Sequence, residues 1–149
     1  MRLLVVFSHP CPESFGAALY QTACRTLGAA GHELRCHDLY AENFNPVLST
    51  EERRIYLTDT AAIIAKHPDH VADLQWAEGI VVIYPTWYYG PPAMLKGWLE
   101  RVWLPGITFE VAEGKQKRTI PKLRNIRLLV GITTSGSPWW WIRDRKSVV

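Results

Sequence analysis

Three short stretches of this chain hold residue types suited to binding chemistry. The first, Ser8-His9-Pro10-Cys11-Pro12-Glu13-Ser14, runs into Phe15, Gly16 and Ala17. Ser14 is a good helix N-cap, and the N–H groups of Ser14, Phe15, Gly16 and Ala17 would open a helix whose unpaired donors and dipole favour an anion. His9 precedes that turn and reads either as a ligand to the anion or as an ordinary turn residue. The turn carries neither a Walker pattern nor G-x-G-x-x-G, so its spacing alone is a weak signal. The second stretch, Pro85-Thr86-Trp87-Tyr88-Tyr89-Gly90, fences three aromatics with prolines and offers a stiff surface to a flat ring. The third, Thr133-Thr134-Ser135-Gly136, supplies hydroxyl and N–H donors able to hold a ring's carbonyl edge. Together the three suit a phosphorylated, planar cofactor.

The elements that must position these stretches follow from hydrophobic periodicity. Leu3–Phe7 and Ile80–Tyr84 are continuous apolar runs, the pattern of parallel strands covered on both faces, and Ile126–Ile132 reads as another apolar strand. Glu33 to Leu39 instead alternates, with Leu34 and Cys36 on one side and Arg35 and His37 on the other, as a half-covered edge strand does. Phe15, Leu19, Ala23, Leu27 and Ala30 recur at helical spacing, and Gly31 can close that helix in a left-handed conformation. Leu39 to Leu48 reads as an irregular crossover. Ser49-Thr50-Glu51-Glu52 has capping-box spacing for a helix beginning near Thr50, and a further helix is expected over roughly Asp69 to Ala77. Pro91 and Pro92 suit the first turn of an amphipathic helix whose apolar face is Met94, Leu95, Trp98, Leu99 and Val102. Strand and helix alternate throughout, which predicts an α/β fold with a doubly wound parallel sheet of strand order 2-1-3-4. In such sheets ligands bind beyond the carboxyl ends of the strands, where all three stretches lie.

With 149 residues, 48% hydrophobic and 21% charged, the chain reads as one domain over residues 1–149. A net charge of +3 is too small to imply nucleic acid. No apolar run approaches the ~18 residues of a membrane span, so no membrane insertion is expected. The N-terminal apolar run is too short for a signal peptide, and a cytoplasmic location is expected. Cys11, Cys24 and Cys36 form no C-x-x-C pair and read as reduced thiols. His32, His37, His67 and His70 read as surface histidines, with no zinc spacing and no metal expected. Trp98 and Trp103 read as core or dimer-interface residues. Between Leu104 and Asn125 lies a long excursion with a basic run, Lys115, Lys117, Arg118, Lys122 and Arg124. It reads as a solvated loop, or as an attractor for the phosphates of a nicotinamide nucleotide.

Four segments, SHP…ESFGAAL, DLYAENFNPVLSTEE, YPTWYYGPPAMLKGWLERVWLPGITF and TTSGSP, carry a family resemblance through most of residues 3 to 138. The chain resembles the flavodoxin-like NAD(P)H:quinone oxidoreductases of the flavodoxin-2 type, a group that includes ancillary subunits of glutathione-gated potassium efflux systems. The resemblance implies a tightly bound FAD or FMN, hydride transfer from NADH or NADPH to the flavin, and two-electron reduction of a quinone. It also implies a homodimer whose pocket is completed across the interface and, for the efflux type, peripheral association with a transporter. Position by position, His9, Ser14, Phe15, Gly16 and Ala17 look like the flavin phosphate site. Pro85, Thr86, Trp87 and Tyr88 look like the ring-binding loop, and Thr133, Thr134, Ser135 and Gly136 like the donors facing the pyrimidine edge. The chain also departs from the family. Gly16 stands where the family has Asn, and Pro138 to Arg143 replaces a stretch in which some relatives carry a Tyr and a His that handle a proton, so no catalytic residue is assigned. Relatives continue through a fifth strand and a last helix where this chain stops at Val149. The sequence reading is therefore a C-terminally truncated domain whose fourth strand is an open edge.

Overall fold

Strand β1 (Arg2–Phe7) lies at the middle of a parallel sheet because every side chain from Leu3 to Phe7 is apolar and almost wholly removed from solvent. It pairs with β2 (Glu33–Asp38) on one side and with β3 (Gly79–Pro85) on the other. Strand β6 (Leu128–Thr134) pairs in parallel with β3, giving the order β2-β1-β3-β6. This is the expected 2-1-3-4 arrangement, with two short strands intervening in the sequence. These relations come from a computed structural model that describes residues 1–112, 118–138 and 140. The fourth strand of the sheet starts two residues later than periodicity suggests, because Gly79 faces Leu128 and Pro85 faces Thr134 in the register with β3. At the rim, β6 leaves Leu128 40% and Leu129 64% exposed.

Helix α1 (Phe15–Ala29) covers one face of the sheet, where Ala17 packs with Val5, Phe7, Val81 and Ile83. It ends in a Schellman motif: Gly31, at φ 80°, donates to the Gly28 carbonyl while His32 donates to that of Leu27. Helices α4 (Pro68–Trp76) and α5 (Ala93–Val102) close the other face over Leu4, Val6 and Ile80. Trp98 of α5 is fully buried there, which settles it as core. Pro91 and Pro92 lie just ahead of α5 rather than in its first turn, with Pro92 as an extended N-cap. The helix expected near Thr50 is the short α2 (Thr50–Ile55), and a second short helix, α3 (Thr60–Ile64), follows it.

The crossover between β2 and α2 is irregular but firmly anchored. Arg101 of α5 donates to the Asn45 carbonyl and to Glu52, and these two charged side chains are only 4% and 1% exposed. Glu52 also completes the capping box, accepting from the Ser49 N–H at 2.7 Å while Ser49 Oγ accepts from the Glu52 N–H at 3.2 Å. Burial pushes the Glu52 carboxyl up, but the Ser49 N–H and the Arg101 guanidinium outweigh it and hold the group at about 2. Gly97 allows the backbone of Pro46 to lie against α5, since a Cβ there would come within 2.2 Å of the Pro46 carbonyl oxygen.

Two expectations are corrected. His37 and His70 are not surface residues, being 7% and 9% exposed. Long-range partners make their burial tolerable: His37 Nδ1 lies 3.0 Å from Glu42 and its Nε2 3.0 Å from Asp73, while His70 Nδ1 accepts from the Trp98 indole N–H at 3.2 Å. Burial and neighbouring positive charge push His67 and His70 down to about 4. His37, Glu42 and His70 place ligand-type atoms within 4.8 Å of one another. The Trp98 bond, however, sets the His70 ring proton on Nε2, facing Glu42, so the cluster is a hydrogen-bonded part of the core. The excursion after α5 is also not all loop: β4 (Phe109–Val111) and β5 (Thr119–Pro121) form a small antiparallel pair, with Lys122 ion-paired to Glu110. Lys115 and Lys117 lie outside the described residues.

Candidate cofactor site

The turn after β1 is built from its own polar atoms. Ser8 donates its N–H to the Ile83 carbonyl at 3.0 Å, tying the start of the turn to β3, and its buried hydroxyl has no partner among the described residues. The Cys11 N–H donates to His9 Nδ1 at 3.0 Å, which leaves the ring proton on Nε2. Ser14 caps α1 by accepting from the Ala17 N–H at 3.1 Å, and its own N–H donates to the Cys11 carbonyl at 3.2 Å. Of the four N–H groups expected to face an anion, those of Ser14 and Ala17 are thus engaged. Those of Phe15 and Gly16 have no acceptor among the described residues. A Cβ on Gly16 would sit 3.7 Å from the His9 ring.

After β3 the chain makes a two-residue turn. Trp87 and Gly90 exchange backbone hydrogen bonds of 3.1 and 3.0 Å, and between them Tyr88 and Tyr89 adopt φ of 49° and 63°. A turn with both central residues at positive φ normally selects Asn-Gly, and side chains such as these cost about 1 kcal/mol or more each in that region. The strained turn presents rather than buries its rings: Trp87 is 43% exposed and Tyr88 wholly so. The Trp87 and His9 ring centroids are 6.1 Å apart, which brings the aromatic loop beside the first turn.

The third loop meets the second directly. The Thr86 N–H donates to the Thr134 carbonyl at 2.7 Å, and the Thr86 and Thr133 hydroxyls are 2.6 Å apart. Beyond this junction a cavity of about 340 Å³ is lined by Thr86, Trp87, Tyr88 and Tyr89 on one side and Ser135, Gly136 and Ser137 on the other. That volume falls within the usual range of small-molecule sites. Five of the sequence-selected residues, Thr86, Trp87, Tyr88, Ser135 and Gly136, therefore meet at one cavity. Pro85, Thr133 and Thr134 stand behind it as strand ends, and His9, Ser14, Phe15, Gly16 and Ala17 adjoin it through the His9–Trp87 contact. The sequence reading placed Tyr89 in the aromatic stretch but assigned it no role by resemblance, and it did not select Ser137, which directly continues the third stretch.

A parallel α/β sheet of this order, with three loops meeting at the carboxyl ends of β1, β3 and β6, defines a doubly wound fold. The sequence matches the Flavodoxin_2 family, described by its flavodoxin-like fold, over residues 1–144, and the chain belongs to that family. It is 32% identical over 133 residues to a ribosyldihydronicotinamide dehydrogenase-like protein of Penicillium crustosum, covering 79% of this chain and 49% of that protein. It is also 32% identical over 151 aligned residues to NAD(P)H dehydrogenase [quinone] 1 of Rattus norvegicus, covering 91% of this chain and 54% of that one. The chain thus spans about half the length of these curated relatives. Among solved structures, an NAD(P)H:quinone oxidoreductase from Methanothermobacter marburgensis superposes with a TM-score of 0.81 at 25% identity, covering 97% of this chain and 71% of that one.

Proposed function

We propose that this chain carries the flavin site of an NAD(P)H:quinone oxidoreductase, with FAD or FMN as the bound group, NADH or NADPH as hydride donor and a quinone as acceptor. The observation that carries the reading is the cavity walled by the strained Trp87–Gly90 turn and by Ser135–Ser137, next to the unengaged N–H groups of Phe15 and Gly16. The names of the similar proteins support the reaction class. When bound, a flavin supplies reversible two-electron chemistry.

This chain's residues supply binding and position. Phe15 and Gly16 offer N–H donors at the positive end of α1, and His9 adds a ring donor beside them for the flavin phosphate. Trp87 provides an aromatic face for the ring, and Tyr88 and Tyr89 line the same cavity. Ser135 and Gly136 stand opposite as donors for a carbonyl edge, where fixed N–H and O–H groups stabilise negative charge better than mobile water does. A flavin held here would supply the hydride chemistry without a protein nucleophile, so this chain's residues would contribute position, Trp87 as the ring face and Ser135 and Gly136 as edge donors. Cytoplasmic location and a homodimer that completes the pocket across its interface belong to the same proposal.

The test is to incubate purified protein separately with FAD and FMN, read the absorbance retained after desalting, and then follow NADH or NADPH oxidation with a soluble quinone. One flavin should be retained, and nucleotide oxidation should depend on both flavin and quinone. A protein that stays colourless with either flavin would sink the proposal. Flavin retention without turnover would favour an electron carrier or an ancillary subunit of a transporter.

A further inference from the structure

Away from the cofactor cavity, two thiols face each other across the packing of helix on sheet. Cys24, on α1, and Cys36, on β2, are free thiols whose sulfur atoms lie 3.7 Å apart. The contact follows from strand alternation. Leu34 and Cys36 point to the α1 side of β2, where Leu34, Cys24 and Leu27 pack on the same core cluster, whereas Arg35 and His37 turn to Asp73 on the opposite side. A disulfide needs a sulfur separation of about 2.05 Å. Cys11, the third cysteine, has no sulfur partner among the described residues.

We propose that Cys24 and Cys36 form a redox-active dithiol, which low-molecular-weight disulfides oxidise to an internal bridge joining α1 to β2. In the first step the thiolate of Cys36, the exposed member, attacks one sulfur of the small disulfide. This makes a mixed disulfide and releases one small thiol. Cys24 then attacks the Cys36 sulfur, closing the bridge and releasing the second small thiol. The two protons lost by the cysteines end on the two released thiols, and two electrons pass from protein to oxidant. Partial burial and the neighbouring Cys24 sulfur push the Cys36 thiol up to about 12. The thiolate is the attacking form, so bridge formation accelerates as pH rises.

The experiment uses the full chain in native buffer, first reduced and then equilibrated with glutathione disulfide, quenched with acid and mapped by mass spectrometry without reduction. The expected result is loss of two of the three thiols and one peptide pair joining the α1 segment to the β2 segment. Cys11→Ser should give the same bridge in the same yield. Cys24→Ser should instead carry glutathione on Cys36. The proposal fails if the wild-type chain keeps both thiols, carries glutathione separately on each, or links Cys24 or Cys36 to another chain. It also fails if Cys11→Ser abolishes the bridge. The wild-type map alone decides the matter if a variant does not fold.

Discussion

Residues 39–49 and 86–92 are both irregular, both carry proline and aromatic residues, and both lie between a strand and a helix. The first is drawn into the core. Leu39 and Phe44 are buried, Pro46 rests on Gly97, and Glu52 and Arg101 satisfy each other out of solvent. The second holds two tyrosines at positive φ and leaves its rings open to solvent. Irregular backbone is thus paired and buried in the first segment, and strained with exposed rings in the second, which is the segment we propose for binding.

If that contrast holds, damage to the first segment should unfold the chain, while damage to the second should spare stability and weaken ligand binding. The largest effect is expected for Arg101→Ala, which leaves the buried Glu52 carboxylate with only Lys66, 3.3 Å away, and the Ser49 N–H as partners and should cost about 3 kcal/mol in urea unfolding. The same anchor has a pH signature. Glu52 is held below its ordinary value of 4.5, so its contribution is present above that pH and is lost as pH falls toward about 2. His67 and His70 resist protonation in the fold while the unfolded chain accepts protons, so their effect is a loss of stability as pH falls from 6.5 toward about 4. Glu52→Gln should flatten the lower window and, because the Glu52 charge favours protonated His67, deepen the upper one, as read by unfolding midpoints across pH.

Gly97→Ala comes next, with an expected loss of about 1–3 kcal/mol because the Pro46 backbone must move aside. An unchanged melting temperature would refute the close approach. Trp87→Ala should weaken flavin binding by about 1–3 kcal/mol through lost ring contact. Its unfolding free energy should stay within about 0.5 kcal/mol of the parent. A larger stability loss would make Trp87 an architectural residue and erase the distinction between the two segments. The smallest effect is expected for Tyr88→Gly, which removes one strained φ and should raise stability by about 1 kcal/mol in thermal melts.

Much of the fold was legible because its signals are local. The apolar runs of β1 and β3, the N-cap at Ser14, the Gly31 stop and the apolar stripe of α5 each sit within a few residues of one another in the chain. The three-residue strands β4 and β5 were not legible, being shorter than any reliable period. The burial of His37 and His70 was hidden for another reason. Their partners Glu42, Asp73 and Trp98 are brought together only by the fold, and a histidine beside polar neighbours in sequence looks solvent-facing. In the cofactor site the three loops were readable from residue type. The split between free and engaged N–H groups in the first turn was not, because it depends on which carbonyl or hydroxyl the local geometry presents.

The pairing of Thr86 with Thr133 and Thr134 has a thermodynamic consequence. It fastens the base of the aromatic loop to the end of β6, so the two walls of the cavity spring from one hydrogen-bonded junction. A ligand entering such a slot meets walls whose spacing is already fixed by the sheet. Little of its binding energy is then consumed in restraining loop motion, so retention of the ligand depends mainly on how well its thickness matches the gap.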